Sequence, residues 1–393
     1  MVKKKDANKK IFINIIFLIT NLVLFHNYRT EFLQSLPLGL FALDAGLIIV
    51  YSWLSYRSLL RRENFRLYSI WLLAILILLI RVFIYGKFEF KTTSLILANT
   101  VVGTVLAHNG LNRACQFIFM VIVFSYVTLS YISGVDPMDI LGNSRNHISI
   151  LLLYATILFY LSYSPLEIRQ KQYSILPALA CFILCIFSLG RMGMVTSGVL
   201  FSLLSMLKYW HALARENLLK KALAFLTVTA LMLGTFYSIN YFSETGKFAK
   251  FENQGLESRG RSRIVSTYFD DNNFDGDKLL IGYERGFFEK ETGLSAHISY
   301  LAWHSYLGIA GIFLMIYALY ALVKYYKYSP YHMVLLLAIL LRSLTDNVLF
   351  FGKSLFGILF VFLVIECERQ RLQIKRQKRL TTTGMVLNVT ADS

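Results

Sequence analysis

The sequence predicts an all-α polytopic membrane protein of about twelve transmembrane helices, with one large extracytoplasmic loop between the ninth and the tenth. Three observations carry this prediction. The 393 residues are 56% hydrophobic and only 16% charged, with a mean hydropathy of +0.54, too apolar for an ordinary soluble globule. Apolar runs of roughly 20 residues, enough to cross a hydrocarbon core of about 30 Å as a helix, recur along nearly the whole chain. Between Phe242 and Ala296 the pattern gives way to one long polar stretch, which carries Ser258-Arg259-Gly260-Arg261-Ser262-Arg263 and ends at His297.

Each span is placed by hydropathy and oriented by the Lys and Arg of the short breaks. The first run, 11–26, follows Lys3, Lys4, Lys5, Lys9 and Lys10; no small-x-small cleavage site follows it, so it reads as a signal anchor leaving the cytoplasm. Span two, 38–56, returns to Arg57, Arg61, Arg62 and Arg66, and spans three and four, 67–85 and 92–108, come back to Arg113. Span five, 115–133, leads to an outer loop from Gly134 to Asn146; span six, 147–164, returns to Arg169 and Lys171. Spans seven and eight, 173–190 and 192–207, form a hairpin with Ser188-Leu189-Gly190-Arg191-Met192-Gly193 at its outer tip. Span nine, 222–241, leads to the loop 242–298, and span ten, 299–323, returns to Lys324 and Lys327. Spans eleven and twelve, 331–347 and 349–366, end at a basic tail, 367–393, whose polar stretch from Thr381 to Ser393 is expected to be disordered. Both termini then face the cytoplasm. The loop interleaves Tyr268, Phe269, Phe274, Phe287 and Phe288 with acids and glycines, the composition of a packed cap with short helices near the membrane surface.

A formal charge of +17 would raise nucleic acid as a partner in a soluble protein. Distribution argues otherwise. The cytoplasmic breaks and tails hold 24 of the 40 Lys and Arg, against 8 on the outer side once the long loop is set apart. That asymmetry is the positive-inside rule, so the charge sets topology and nucleic acid is not expected. Cys115, Cys181, Cys185 and Cys367 lie in apolar segments or beside the basic tail, which excludes a disulfide framework; Cys181 and Cys185, one turn apart without further ligands, read as packing residues.

Candidate chemistry gathers on the outer side. Arg259, Arg261 and Arg263 offer planar, permanently charged donors suited to phosphate oxygens, although Glu252, Glu257, Asp270 and Asp271 are near enough in sequence to pair with them. A diphosphate needs two such groups, and Arg191, flanked by Gly190 and Gly193, can supply another. His297 and His304 are two turns apart, roughly 10 Å along a helix and too far for one metal ion; His297, at the rim near the arginines, is the better general base. Asp346 and Arg342, one turn apart near the outer end of span eleven, read as a structural pair lining the site, and Arg81 and Asp44 are further intramembrane charges. Asn143, Arg145, Asn146 and His147 crowd a second outer loop as candidate sugar contacts.

Taken in order, these features resemble the bacterial O-antigen polymerase and O-antigen ligase superfamily over roughly residues 140–325. Ser188-Leu189-Gly190-Arg191 is similar to that family's S-x-x-R hairpin tip, and Arg263-Ile264 with Tyr268 to its loop arginine. Leu279-Leu280-Ile281-Gly282 is similar to its L-x-G turn, and Ala296-His297-Ile298-Ser299-Tyr300-Leu301 followed by Gly308-Ile309-Ala310-Gly311 to its H-N-x-x-L and G-x-x-G helix. The family asparagine is Ile298 here, and an R-x10-G pattern of some polymerases is not found. The resemblance implies a metal-independent glycosyltransferase of the bacterial inner (plasma) membrane, without cofactor. Its implied partners are undecaprenyl-diphosphate-linked glycans, membrane lipids and a chain-length regulator. It also implies roles: Arg191 and Arg263 on the leaving diphosphate, with Arg259 and Arg261 in reserve, and His297 on the acceptor hydroxyl. Size and loop sequence favour a polymerase of repeat units over a ligase acting on lipid A-core; the non-enzymatic alternative is a flippase or exporter of the same glycans.

Overall fold

Away from water, an apolar backbone satisfies its own N–H and C=O groups either in helices or in closed barrels, and here every described element is a helix. The structure, a computed structural model, describes residues 2–30, 39–61, 64–85, 90–141, 145–188, 190–215, 259–270, 276–284, 287–293, 299–344, 346 and 356–382. Its helices are α1 (Val2–Thr30), α2 (Gly39–Leu59), α3 (Phe65–Tyr85), α4 (Phe90–Asn109), α5 (Arg113–Ile132), α6 (Pro137–Ile140), α7 (Arg145–Leu161), α8 (Pro165–Arg169), α9 (Leu176–Phe187), α10 (Arg191–Arg215), α11 (Arg259–Phe269), α12 (Gly276–Ile281), α13 (Phe287–Thr292), α14 (Ser299–Leu307), α15 (Ile309–Tyr325), α16 (Pro330–Ser343) and α17 (Phe356–Thr382).

Four stretches are long and apolar enough to cross a membrane, Asn8–Asn27, Phe65–Tyr85, Arg113–Ile132 and Met192–Tyr209. Large apolar side chains point outward from the bundle, among them Trp53, Phe65, Leu72 and Phe83. An outer surface of that kind requires lipid around it, so the chain is an all-α, membrane-embedded protein. Helices stand at the positions of the expected spans except span nine, 222–241, which lies outside the described residues.

The interior is built mainly from α4, α7, α16 and the first half of α17. α4 packs against α2 and α17, and Gly103 permits the second contact: a Cβ there would lie 2.8 Å from both the Ile358 carbonyl oxygen and Val361 Cβ. α7 is buried from Ile148 to Leu161 with Ser149 and Thr156 included, and it packs against α5, α9 and α10. Thr156 Oγ1 donates to Leu152 O at 2.7 Å, which lets a hydroxyl sit in an apolar interior.

The basic breaks gather at one end of this bundle. Asn14 of α1 donates to Gly110 O at 3.1 Å and accepts from the Asn112 N–H at 2.8 Å. Asn64, before α3, lies 3.2 Å from His108 at the end of α4. Arg113 reaches Glu167 at 2.5 Å, Lys208 Nζ donates to Tyr173 O at 2.7 Å, and Tyr325 OH donates to Glu368 at 2.8 Å. Asn146, Ser299 and Asp346 meet at the opposite end, described below.

Two departures from the expected spans have clear causes. Span ten is broken at Gly308, whose φ of 53° is outside the helical region, so α14 and α15 are separate helices. Span twelve continues as α17 through Arg369, Arg371 and Lys375 to Thr382, because arginine and glutamate pairs one turn apart, Arg369 with Glu366 and Arg371 with Glu368, carry the helix into the basic tail. Residues 383–393 lie outside the described residues.

Candidate functional site

Two polar clusters occupy the end away from the basic breaks, and α14 joins them. The first is built on Arg342, whose side chain is fully buried near the end of α16. A guanidinium in that position is tolerable only with a counter-ion and its donors engaged. Arg342 Nη1 meets Asp346 Oδ2 at 2.7 Å, and its Nη2 donates to Asn146 O and to Ser149 Oγ, both at 3.3 Å. Asn146 Nδ2 donates to the second carboxylate oxygen, Asp346 Oδ1, at 3.1 Å. Ser299 Oγ, in the first turn of α14, donates to the Asp346 carbonyl oxygen at 2.7 Å. Gly193, two residues after Arg191, packs on Ser149 so closely that any Cβ would collide with the serine side chain. Four helices, α7, α10, α14 and α16, are thereby held at one point.

The second cluster docks the loop. α11 turns Ile264 and Tyr268, one turn apart, onto Tyr283 and Phe288 in a small apolar core separate from that of the bundle. Tyr268 OH lies 2.6 Å from His304 Nδ1, and His304 Nε2 lies 2.9 Å from Leu279 O. A carbonyl oxygen only accepts, so Nε2 carries the proton, and the neutral ring accepts from Tyr268 at Nδ1. Burial pushes the Tyr268 pKa up, which keeps that donor protonated. Arg81, near the end of α3, donates from Nη1 to Ile281 O at 3.0 Å and Ser305 O at 2.8 Å, and from Nη2 to Tyr283 O at 2.6 Å. Tyr85 OH adds a bond to Gly282 O at 3.1 Å, and the Tyr283 N–H donates to Ser305 O at 3.0 Å. Gly282 (φ 87°) and Gly308 (φ 53°) make this docking possible: a Cβ on Gly308 would strike the Leu280 carbonyl, and one on Gly282 would lie 2.5 Å from Ser305 O.

Ser299 and His304 are five residues apart on α14, about 7.5 Å of rise, so the two clusters are neighbours. The structure thus brings together Asn146, Arg342 and Asp346. It places His304 between loop and helix, buried and with both ring nitrogens bonded. Arg263 is exposed on α11, beside the inward-facing Ile264. Arg145 and Arg191 open α7 and α10, and Arg259 and Arg261 stand in the first turn of α11. His297 and Asn143 lie outside the described residues. Asp44 accepts from Ser94 at 3.2 Å, near the starts of α2 and α4.

Ser149, Ser299 and the carbonyl partners of Arg81 were not foreseen. Serines at helix starts carry no distinctive signal in sequence, and backbone carbonyls carry none. Gly193, in contrast, stands in the Gly190–Gly193 tip already singled out. The sequence matches no family model, and comparison with curated proteins and with solved structures likewise finds no match.

Proposed function

We propose that the protein is a membrane glycosyltransferase that joins undecaprenyl-diphosphate-linked oligosaccharide repeat units into O-antigen or capsular polysaccharide. The observation that carries the reading is convergence. Of the segments that bear the resemblance, 279–282 docks directly on 299–311, and Gly193 of the 188–193 tip is linked to Ser299 through Ser149, Arg342 and Asp346, at the end opposite the basic breaks. In this reading that opposite end is extracytoplasmic, as the positive-inside rule expects, and the site works on the periplasmic or extracellular side of a twelve-span protein of the inner membrane.

In this reading Arg191 and Arg263 stabilise the diphosphate as the anomeric C–O bond breaks and undecaprenyl diphosphate leaves with the electron pair. His297 takes the proton of the acceptor hydroxyl as its oxygen forms the new glycosidic bond. Asn146 contacts the sugars, held in place by the Arg342–Asp346 pair, and Arg145 is a further candidate sugar contact. Arginine supplies the positive charge, so no metal is needed.

Reconstitution of the purified protein with lipid-linked repeat units tests this directly. Longer glycans should form, EDTA should not stop them, and His297→Ala and Arg191→Ala should each abolish extension while the protein stays in the membrane. Substrate crossing the vesicle wall without extension would make it a transporter. In a deletion strain, a single repeat unit left on lipid A-core marks a polymerase; unmodified core with accumulated lipid-linked polymer marks a ligase.

A further inference from the structure

The basic end of the bundle contains a hollow that the glycosyl-transfer reading leaves unused. It has a volume of about 400 Å³ and lies between α8, the turn before α16, and the extension of α17. Arg169 and Lys171 stand on its wall, and Gln370, Gln373 and Ile374 present one face of α17 to it. Leu207 of α10 and the rings of Tyr173 and Tyr331 make the rest largely apolar. No acidic residue lines it.

The charge balance around this hollow is one-sided. Each nearby acid is already taken: Glu167 by Arg113, Glu366 by Arg369, and Glu368 by Arg371, Lys324 and Tyr325. Arg169 and Lys171 make no ion pair among the described residues. Lys171 has a φ of 57°, the one left-handed non-glycine among the described residues. Glycine or asparagine occupies such a helix-ending position at lower cost, so a lysine there is held against a backbone preference. Two unpaired cations above an apolar, aromatic wall with amide donors match an anionic head on an apolar body.

We propose that this hollow binds the headgroup phosphate of an anionic phospholipid, phosphatidylglycerol being the simplest case, with the acyl chains remaining in the bilayer alongside α10. The chemistry recognised is the phosphate group, which a free phosphate ion also offers; the apolar wall beneath the cations favours the lipid. This inference is independent of the glycosyl-transfer reading. A lipid there ties α8, α16 and the α17 extension together, and it makes the protein's stability depend on the leaflet around it.

The test is native mass spectrometry and thermal melting of the purified full-length protein in a neutral detergent. The added ligands are short-chain phosphatidylglycerol, short-chain phosphatidylcholine or inorganic phosphate. Phosphatidylglycerol should bind and raise the melting temperature, and phosphatidylcholine should not. With roughly fivefold in affinity for each Lys or Arg near a membrane surface, the double variant Arg169→Gln/Lys171→Gly should lose about twenty-five-fold in phosphatidylglycerol affinity. Glycine at 171 removes the charge and suits the positive φ, so the unliganded variant should melt no lower than the parent. Equal binding of both lipids, or phosphatidylglycerol affinity unchanged in the variant, overturns the proposal. Stabilisation by inorganic phosphate equal to that by phosphatidylglycerol overturns the lipid as the source of the phosphate.

Discussion

At the scale of single residues, two glycines with positive φ separate strain from collision. Gly134 (φ 74°) has open space where a Cβ would stand, whereas at Gly308 (φ 53°) the added carbon meets the Leu280 backbone. Gly134→Ala should therefore cost about 1 kcal/mol, the price of the left-handed region alone. Gly308→Ala should cost a further ~1–3 kcal/mol, because backbone on both sides has to move. Denaturation of the two variants side by side in detergent checks this; equal losses would mean that the L-x-G turn is not seated on α14. The Arg342–Asp346 pair makes a second comparison possible. Asp346→Asn leaves a fully buried guanidinium without its counter-ion and should destabilise by about 3–5 kcal/mol, while Arg342→Met/Asp346→Asn should recover much of that loss. A double variant no more stable than the single one would show that the pair is not the main partner of Arg342.

At the scale of elements, Arg81 acts as the clasp between α3 and the loop. Arg81→Leu leaves the carbonyls of Ile281, Tyr283 and Ser305 without this donor, and amide hydrogen exchange across 276–293 should accelerate while that of α4 and α7 stays slow. Unchanged exchange in 276–293 would assign the docking to the remaining contacts of Tyr85, Tyr268, Tyr283 and His304. At the other end, Ser164 and Glu167 form a capping box that starts α8, and Arg113 holds the same carboxylate. Those bonds, Arg113 first, lower the Glu167 pKa to about 2. A lowered folded-state pKa stabilises above the unfolded value and is lost as pH falls towards 2, so acidification should weaken the parent more than Glu167→Gln. The pair is largely exposed, which limits the difference to less than ~1 kcal/mol. These elements show how much the sequence made legible. Hydropathy located the helices because burial of an apolar run is a local property, and positive φ at Gly282 and Gly308 lies within motifs already singled out by the family resemblance. The pairing of Arg342 with Asp346 was legible too, since one helical turn brings such groups together. The clasp was not, because its acceptors are carbonyls some 200 residues away, chemically the same as every other carbonyl. His304 was placed on the face of His297 by helical period alone, and period does not reveal that Tyr268 reaches it from another element.

At the scale of the whole molecule, the open question of orientation reduces to which end faces the cytoplasm. Polar contacts bind the basic breaks to one another at one end, and α11 to α13 dock through Arg81 and His304 at the other, so a probe at each end reads the orientation of the entire bundle. The native cysteines make this practical: Cys181, Cys185 and Cys367 are buried, leaving only Cys115 partly accessible. On a Cys115→Ser background, Ser266→Cys on the exposed face of α11 should react with a membrane-impermeant thiol reagent in intact cells. Gln172→Cys, exposed just after α8, should react only once the membrane is opened. The predicted contrast follows from the sequence, in which 24 of 40 basic residues fall in the breaks and tails assigned to the cytoplasm, where translocation is least favourable. Labelling of Gln172→Cys in intact cells with Ser266→Cys protected would invert the protein, moving the Arg342–Asp346 cluster to the cytoplasmic face and removing glycan assembly outside the membrane as a function. Labelling of both from outside would mean that an even number of crossings separates the two positions, so that the segment 216–258 does not contain the single span expected of it.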